Sequence, residues 1–216
     1  MTGSTTVTPA YALVKRLIDV AGAAALLALL GPAALASALA IRLRSPGHLL
    51  YVQSREGQYG RPFGVVKLRT MHVDAAARLS EHLAADPRVA EEFAANGCLR
   101  LDPRVAGAVA AFARRYSIDE IPQLWNVLVG DMSLVGPRPL HPDDAQVFFD
   151  AATRTARLQV PPGLTGLWQV KRKGKKDVMR NIAELDLLYV KQRSLHLDLM
   201  ILVQTPRAVL SGGGLF

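Results

Sequence analysis

A lone cysteine, Cys98, rules out an internal disulfide framework, and with no basic motif beside it the thiol reads as inert. Aromatic residues make up only 6% of the 216-residue chain, and no aromatic RNA-binding signature is present, which leaves nucleic acid a weak partner. His48, His72, His82, His141 and His196 fall at no metal-ligand spacing, so no zinc site is expected. Acidic residues are scarce: 18 against 26 basic ones give a formal net charge of +8, which calls for a polyanionic neighbour such as anionic lipid or a diphosphate. Long apolar runs are scarce too. Leu195 to Leu210 is short and holds Asp198 and Pro206, so it reads as a surface-lying or core helix.

One run is long enough to matter to a membrane. Val20 to Ile41 carries no charge and is flanked by Lys15-Arg16 and by Arg42 and Arg44. At ~1.5 Å per residue it would reach roughly 33 Å as a straight helix, enough to cross a core of about 30 Å. Gly31-Pro32 interrupts it, and a proline inside a helix costs ~3 kcal/mol. Basic residues mark the cytoplasmic side, and here they stand at both ends, which a spanning helix satisfies at only one. A helix-break-helix that dips into the inner leaflet and returns meets both observations. A cleavable signal peptide and a plain spanning helix are the competing readings, and the former sits poorly with Arg42 and Arg44 at a new N-terminus.

The organisation expected is a tail over 1–14, a membrane element over 15–44 and one domain over 45–216. His48 to Gln53 and Pro62 to Thr70 read as strands of a hairpin, with Lys67 and Arg69 on one face. Val73 to Ala95 reads as helix interrupted at Pro87, followed by helices over Val105 to Tyr116 and Ile182 to Tyr189. The class is therefore α+β and mainly helical, with a small β-hairpin and amphipathic interfacial helices.

Chemistry concentrates in two stretches. Ser117-Ile118-Asp119-Glu120 matches a capping box, so a helix start is the plain reading, yet it leaves two adjacent acids amid many cations unexplained. In Gly136-Pro137-Arg138-Pro139 the prolines stiffen the turn and keep Arg138 out of helical geometry, which suits bidentate phosphate binding; a rigid connector with a solvated arginine is the alternative. Lys67, Arg69, Arg115 and Arg138 are the candidate phosphate-binding cations, with Arg138 and Lys67 ahead of Arg115. Trp125 and Trp168 read as packing or interface residues.

Taken together, these motifs resemble the bacterial sugar transferases, the monotopic phosphoglycosyl transferases. The resemblance runs from Lys15 onward through Lys-Arg-x-x-Asp at Lys15 to Asp19, Phe63 to Met71, and Asp-Glu-Ile-Pro-Gln-Leu-Trp-Asn from Asp119. It continues through Gly130 to Pro139, Pro162 to Val170 and Leu185-Asp186 to Tyr189, ending near Asp198. It implies transfer of a sugar 1-phosphate from a UDP-sugar to a polyprenyl phosphate, giving polyprenyl-diphosphate-sugar and UMP as the first step of an exopolysaccharide or other glycan. Asp119 would be the nucleophile, Glu120 its partner, and Mg2+ the metal held at Asp119 and Glu120. The implied location is the cytoplasmic face of a bacterial inner membrane, and a homodimer stays open. The chain reads as a minimal form without the extra N-terminal spans of larger relatives.

Departures from the family pattern are specific. Gly31-Pro32 replaces Ser-Pro at the membrane break, and Lys171 to Lys176 replaces a short Gly-Arg segment, either as a lipid-facing patch or as a nucleotide cradle. Asp186 and Asp198 read as structural acids or distant supports. A silent membrane-anchored scaffold binding acidic lipid or glycan-assembly enzymes is the rival class, but a scaffold has no need of Asp119, Glu120 and Arg138 together.

Overall fold

The computed structural model describes residues 8–96, 99, 101–171 and 178–211. Helix α1, Pro9–Arg44, begins where Thr8 accepts the Tyr11 amide and Pro9 occupies the first turn, where a missing N–H costs little. It stays helical through Gly31 and Pro32, so the expected interruption does not appear as a break in the backbone helix. Pro32 deletes one bond of the ladder, while packing of the flanks onto the body holds the ladder on either side.

The side-chain pattern of α1 is inverted relative to a water-soluble helix. Ala23, Ala34 and Ala38 face the body, whereas Leu29, Leu35 and Leu43 are 73%, 56% and 87% exposed. Small residues let the helix approach the body closely and leave the leucines for another apolar medium. Both flanks of α1 contact the same body: Ala23 joins the main core with Leu134, and Ile41 packs on Ala106 and Ala110.

The hairpin forms as expected, with β1 (Leu50–Glu56) antiparallel to β2 (Pro62–Leu68) and Tyr51 opposite Lys67. Its connection holds Tyr59 and Gly60 at positive φ, 57° and 75°. Two amphipathic helices, α2 (Ala75–Ala85) and α3 (Pro87–Asn96), divide at Pro87. Next come α4 (Ala108–Arg115), a single 3₁₀ turn over Ile118–Glu120, and α5 (Gln123–Val129).

Beyond α5 the chain adds β3 (Ser133–Val135), α6 (Pro142–Phe148), α7 (Ala151–Arg157) and β4 (Gly163–Thr165), with β3 parallel to β4. Helices α8 (Leu167–Lys171), α9 (Val178–Gln192) and α10 (Leu195–Leu210) complete the described chain. The main core gathers Leu124, Val127, Leu134, Leu167, Tyr189 and Ile201 from α5, β3, α8, α9 and α10. The 3₁₀ turn bearing Asp119 and Glu120 leads directly into α5, which that core anchors through Leu124 and Val127.

Candidate active site

Ser117 sets the entry to the acidic pair. It adopts a left-handed conformation, φ 55° and ψ 24°, and makes no side-chain cap bond, so the expected capping box does not form. The left-handed residue ends the run from α4 and starts a tight turn, at a cost of ~1–3 kcal/mol that the surrounding packing must offset. Pro122 then opens α5. Four residues further on, Asn126 fixes this helix to the hairpin: its Oδ1 accepts from the Val66 amide at 3.1 Å and its Nδ2 donates to the Gly64 carbonyl at 2.8 Å. The acidic turn and Lys67 on β2 are thereby held in register.

Glu120 is the hub. Lys67 Nζ lies 3.2 Å and Arg138 Nη2 3.3 Å from the same Oε1. Burial alone would raise the Glu120 pKa, but Arg138 and then Lys67 overcome it and hold the carboxyl below its ordinary range. Asp119 beside it behaves oppositely. Burial, and then the Glu120 charge, push it up to about 6, against the pull of Lys67 and Arg114. Two neighbouring carboxyls are thus tuned apart, one kept ionised and the other made the stronger base.

Arg138 is displayed by a backbone crossing that only glycine permits. A Cβ on Gly163 would stand 2.0 Å from the Gly136 nitrogen, and one on Gly166 would stand 2.3 Å from the Gly136 carbonyl oxygen. This lets the Gly136 amide donate to the Thr165 carbonyl and the Gly163 amide to the Pro137 carbonyl. The guanidinium of Arg138 lies 5.4 Å from the buried Trp168 ring. Its own carbonyl accepts from Arg157 Nη2 at 2.7 Å, and Arg157 in turn pairs with the fully buried Asp186 at 2.9 Å. Asp186 is pushed up to about 6 by burial despite Arg157, and its Oδ1 has no hydrogen-bond partner among the described residues.

Four of the residues expected from sequence therefore meet: Asp119, Glu120, Lys67 and Arg138. Arg69 does not join them, because its guanidinium binds the Ser45 hydroxyl and carbonyl and the His48 and Met71 carbonyls, fastening the exit of α1 to the end of β2. Arg115 is exposed and lies over the Tyr116 ring at 5.8 Å. Its neighbour Arg114 is the one directed inward, within reach of Thr70 at 3.4 Å and of the Asp119 charge. Gly31 and Pro32 lie within α1. Trp125 is 57% exposed on α5. Cys98 and the basic run beyond Lys171, residues 172–176, lie outside the described residues.

The Lys-Arg-x-x-Asp motif has a structural role beyond its charge. Lys15 Nζ binds the Val135 carbonyl at 3.0 Å and Asp198 at 3.1 Å, Arg16 caps the Val127 and Leu128 carbonyls at the end of α5, and Asp19 accepts from the Ser133 hydroxyl and the Leu134 amide. Asp198 also accepts from Tyr11 at 2.9 Å and Tyr189 at 2.8 Å. Asp198 is thus a support that secures α1 to β3, α9 and α10, and Asp186 is a support behind Arg138.

Among known proteins, the family model for the bacterial sugar transferases matches residues 10–212. The chain is 43% identical over 203 residues to a UDP-glucose:undecaprenyl-phosphate glucose-1-phosphate transferase of Caulobacter vibrioides, covering 91% of this chain and 70% of that one. It is 36% identical to the exopolysaccharide production protein ExoY of Rhizobium meliloti, covering 96% and 90%. An undecaprenyl-phosphate galactose phosphotransferase of Salmonella typhimurium is 39% identical over 80% of this chain, which spans only 36% of that longer protein.

Proposed function

From the premise that this chain belongs to the bacterial sugar transferase family and is a transferase, we propose that it moves a sugar 1-phosphate from a UDP-sugar to undecaprenyl phosphate. The products are undecaprenyl-diphosphate-sugar and UMP, opening an exopolysaccharide or related glycan. The observation that carries this reading is the buried Asp119, made more basic by its surroundings, beside a Glu120 bound by Lys67 and Arg138.

In the proposed sequence an Asp119 carboxylate oxygen attacks the sugar-bearing phosphorus, the bond from that phosphorus to the UMP oxygen breaks, and UMP leaves. An oxygen of the lipid phosphate then attacks the same phosphorus, and the carboxylate is restored. Arg138 and Lys67 lie where they can neutralise the charge on the transferring group, a role in which one lost contact commonly costs ~2.7–4 kcal/mol. Asp119 and Glu120 are the residues that would hold Mg2+. Among the described residues no three His, Cys, Asp or Glu side chains gather, and a pair of carboxylates suits a metal whose other positions come from phosphate and water. When bound, the metal would supply further neutralisation of the diphosphate.

Insertion of α1 into the cytoplasmic face of the inner membrane, without crossing it, is supported by where α1 is bare. Ala28 to Leu30 and Pro32-Ala33 are exposed and apolar, while the flanks on either side pack against one body. A helix that placed its two ends on opposite sides of a bilayer would lose one of those packed flanks.

Detergent-solubilised protein given Mg2+, undecaprenyl phosphate and a panel of UDP-sugars tests the reaction. UMP formation that needs the lipid phosphate supports it and identifies the donor. Absence of UMP from every donor with folded, membrane-binding protein points to a non-catalytic scaffold or another nucleotide sugar.

A further inference from the structure

Beyond the residues already placed, one cation of the hairpin is poorly matched. Because directly opposed residues share a face, the register puts Gln53 and Arg55 of β1 on the same face as Val65 and Lys67 of β2. That face looks inward: Val65 is buried and Lys67 reaches Glu120. The residue after Arg55 is secured from two directions. The Glu56 amide donates to the Leu140 carbonyl at 3.2 Å, and its carboxylate binds Arg154. This staples the end of β1 to a loop residue two positions from Arg138.

Arg55 is half-buried there, and its guanidinium is held by a neutral group, Gln53 Oε1, at 2.6 Å from Nη2. Among the described residues no carboxylate lies within ion-pair distance of it, whereas Arg138 and Lys67 share Glu120. Burial and then the nearby charge of Arg138 both disfavour its protonated form, while Asp144 and Tyr51 oppose them weakly. A planar donor fork kept half-desolvated beside a second fork, without a carboxylate of its own, is arranged for an anion that arrives from outside.

Building on the transferase reading, we propose that Arg55, oriented by Gln53, completes with Arg138 and Lys67 a cradle for a substrate phosphate. Two phosphates come to this enzyme in that reading, the diphosphate of the donor and the monophosphate of the lipid acceptor, and the shared chemistry is bidentate capture of phosphate oxygens.

The test measures UDP binding to the full-length protein in detergent with Mg2+, together with the KM for a short-chain polyprenyl phosphate, for wild type, Arg55→Ala, Arg55→Lys and Arg61→Ala. Arg61 is an exposed cation on the same hairpin and controls for diffuse charge. Loss of a charge-assisted contact predicts an affinity decrease of about ten-fold or more for Arg55→Ala, partial recovery in Arg55→Lys, no change in Arg61→Ala and an unchanged melting temperature. A fall confined to UDP assigns the donor diphosphate, and a raised KM confined to the lipid assigns the acceptor phosphate. Equal values in wild type and Arg55→Ala, or equal losses in Arg55→Ala and Arg61→Ala, overturn the assignment while leaving the transferase reading intact. Folded wild type that binds neither UDP nor the lipid phosphate overturns the reading itself.

Discussion

Two polar clusters in this molecule use the same residue types to opposite ends. Around Asp198 each oxygen is met by a designated donor, with Tyr11 and Lys15 on one and Tyr189 on the other, and the carboxylate is buried. Around Glu120 two cations converge on a single oxygen, a third cation on the hairpin is met among the described residues by an amide, and the neighbouring carboxyl is held as a base. Saturation makes a fastening, whereas imbalance makes a site that an anionic substrate can complete. The fastening lies at the entry of α1 and the imbalance at the start of α5, and β3 connects them through Val135, whose carbonyl Lys15 holds only three positions before Arg138.

Breaking the imbalanced cluster should change chemistry and leave the fold. Asp119→Asn is expected to abolish turnover, read as UMP release, in a protein that still folds and associates with membrane, because the amide keeps the shape and removes the proposed nucleophile. Breaking the saturated cluster should do the reverse. Asp198→Ala strands Lys15 and two tyrosine hydroxyls and is expected to cost about 3–5 kcal/mol of stability, seen in denaturant or thermal unfolding. Smaller again is Arg138→Ala, expected to lose ~2.7–4 kcal/mol at the transition state, or a hundred-fold or more in kcat/KM.

Acid sharpens the same contrast. With Asp119 pushed up to about 6, kcat/KM should fall as pH drops through that value. Stability should move the other way. A carboxyl whose pKa is higher folded than unfolded contributes most below its unfolded value, and that contribution fades as pH rises toward 6. The stability difference between wild type and Asp119→Asn, measured by unfolding from pH 4 to 7, should therefore widen to the disadvantage of wild type as pH rises. The smallest effect belongs to Arg115→Ala, expected within about 0.5 kcal/mol in both stability and activity because the side chain is exposed.

Much of this was legible in residue order. The hairpin, the helix division at Pro87 and the helix over Leu195–Leu210 follow from alternation, proline and periodicity, which are local signals. Asp119, Glu120 and Arg138 stood out because adjacent acids and a proline-locked arginine are unusual locally. Arg69 was misleading for a physical reason: β2 ends at Leu68, so strand alternation no longer governs where its guanidinium goes. Arg114 and Arg115 are neighbours about 100° apart on α4, and only the burial of Ala110 and Ala113 shows which face turns inward. Ser117 matched a capping box, yet its left-handed backbone serves a turn. The parallel pairing of β3 with β4, and Arg157 behind Arg138, join residues distant in sequence, for which no short window carries a signal. The trace of that pairing was present as glycines at 136, 163 and 166, whose purpose becomes clear only once the backbones cross.

The measurement that tests the central claim most directly is intact-protein mass spectrometry after incubation with a UDP-sugar in the absence of lipid acceptor. A phosphosugar adduct that maps to Asp119, is absent in Asp119→Asn and disappears when undecaprenyl phosphate is added is the result expected. Rapid lipid-dependent UMP formation by wild type with no adduct at Asp119, or undiminished turnover in Asp119→Asn, would contradict it.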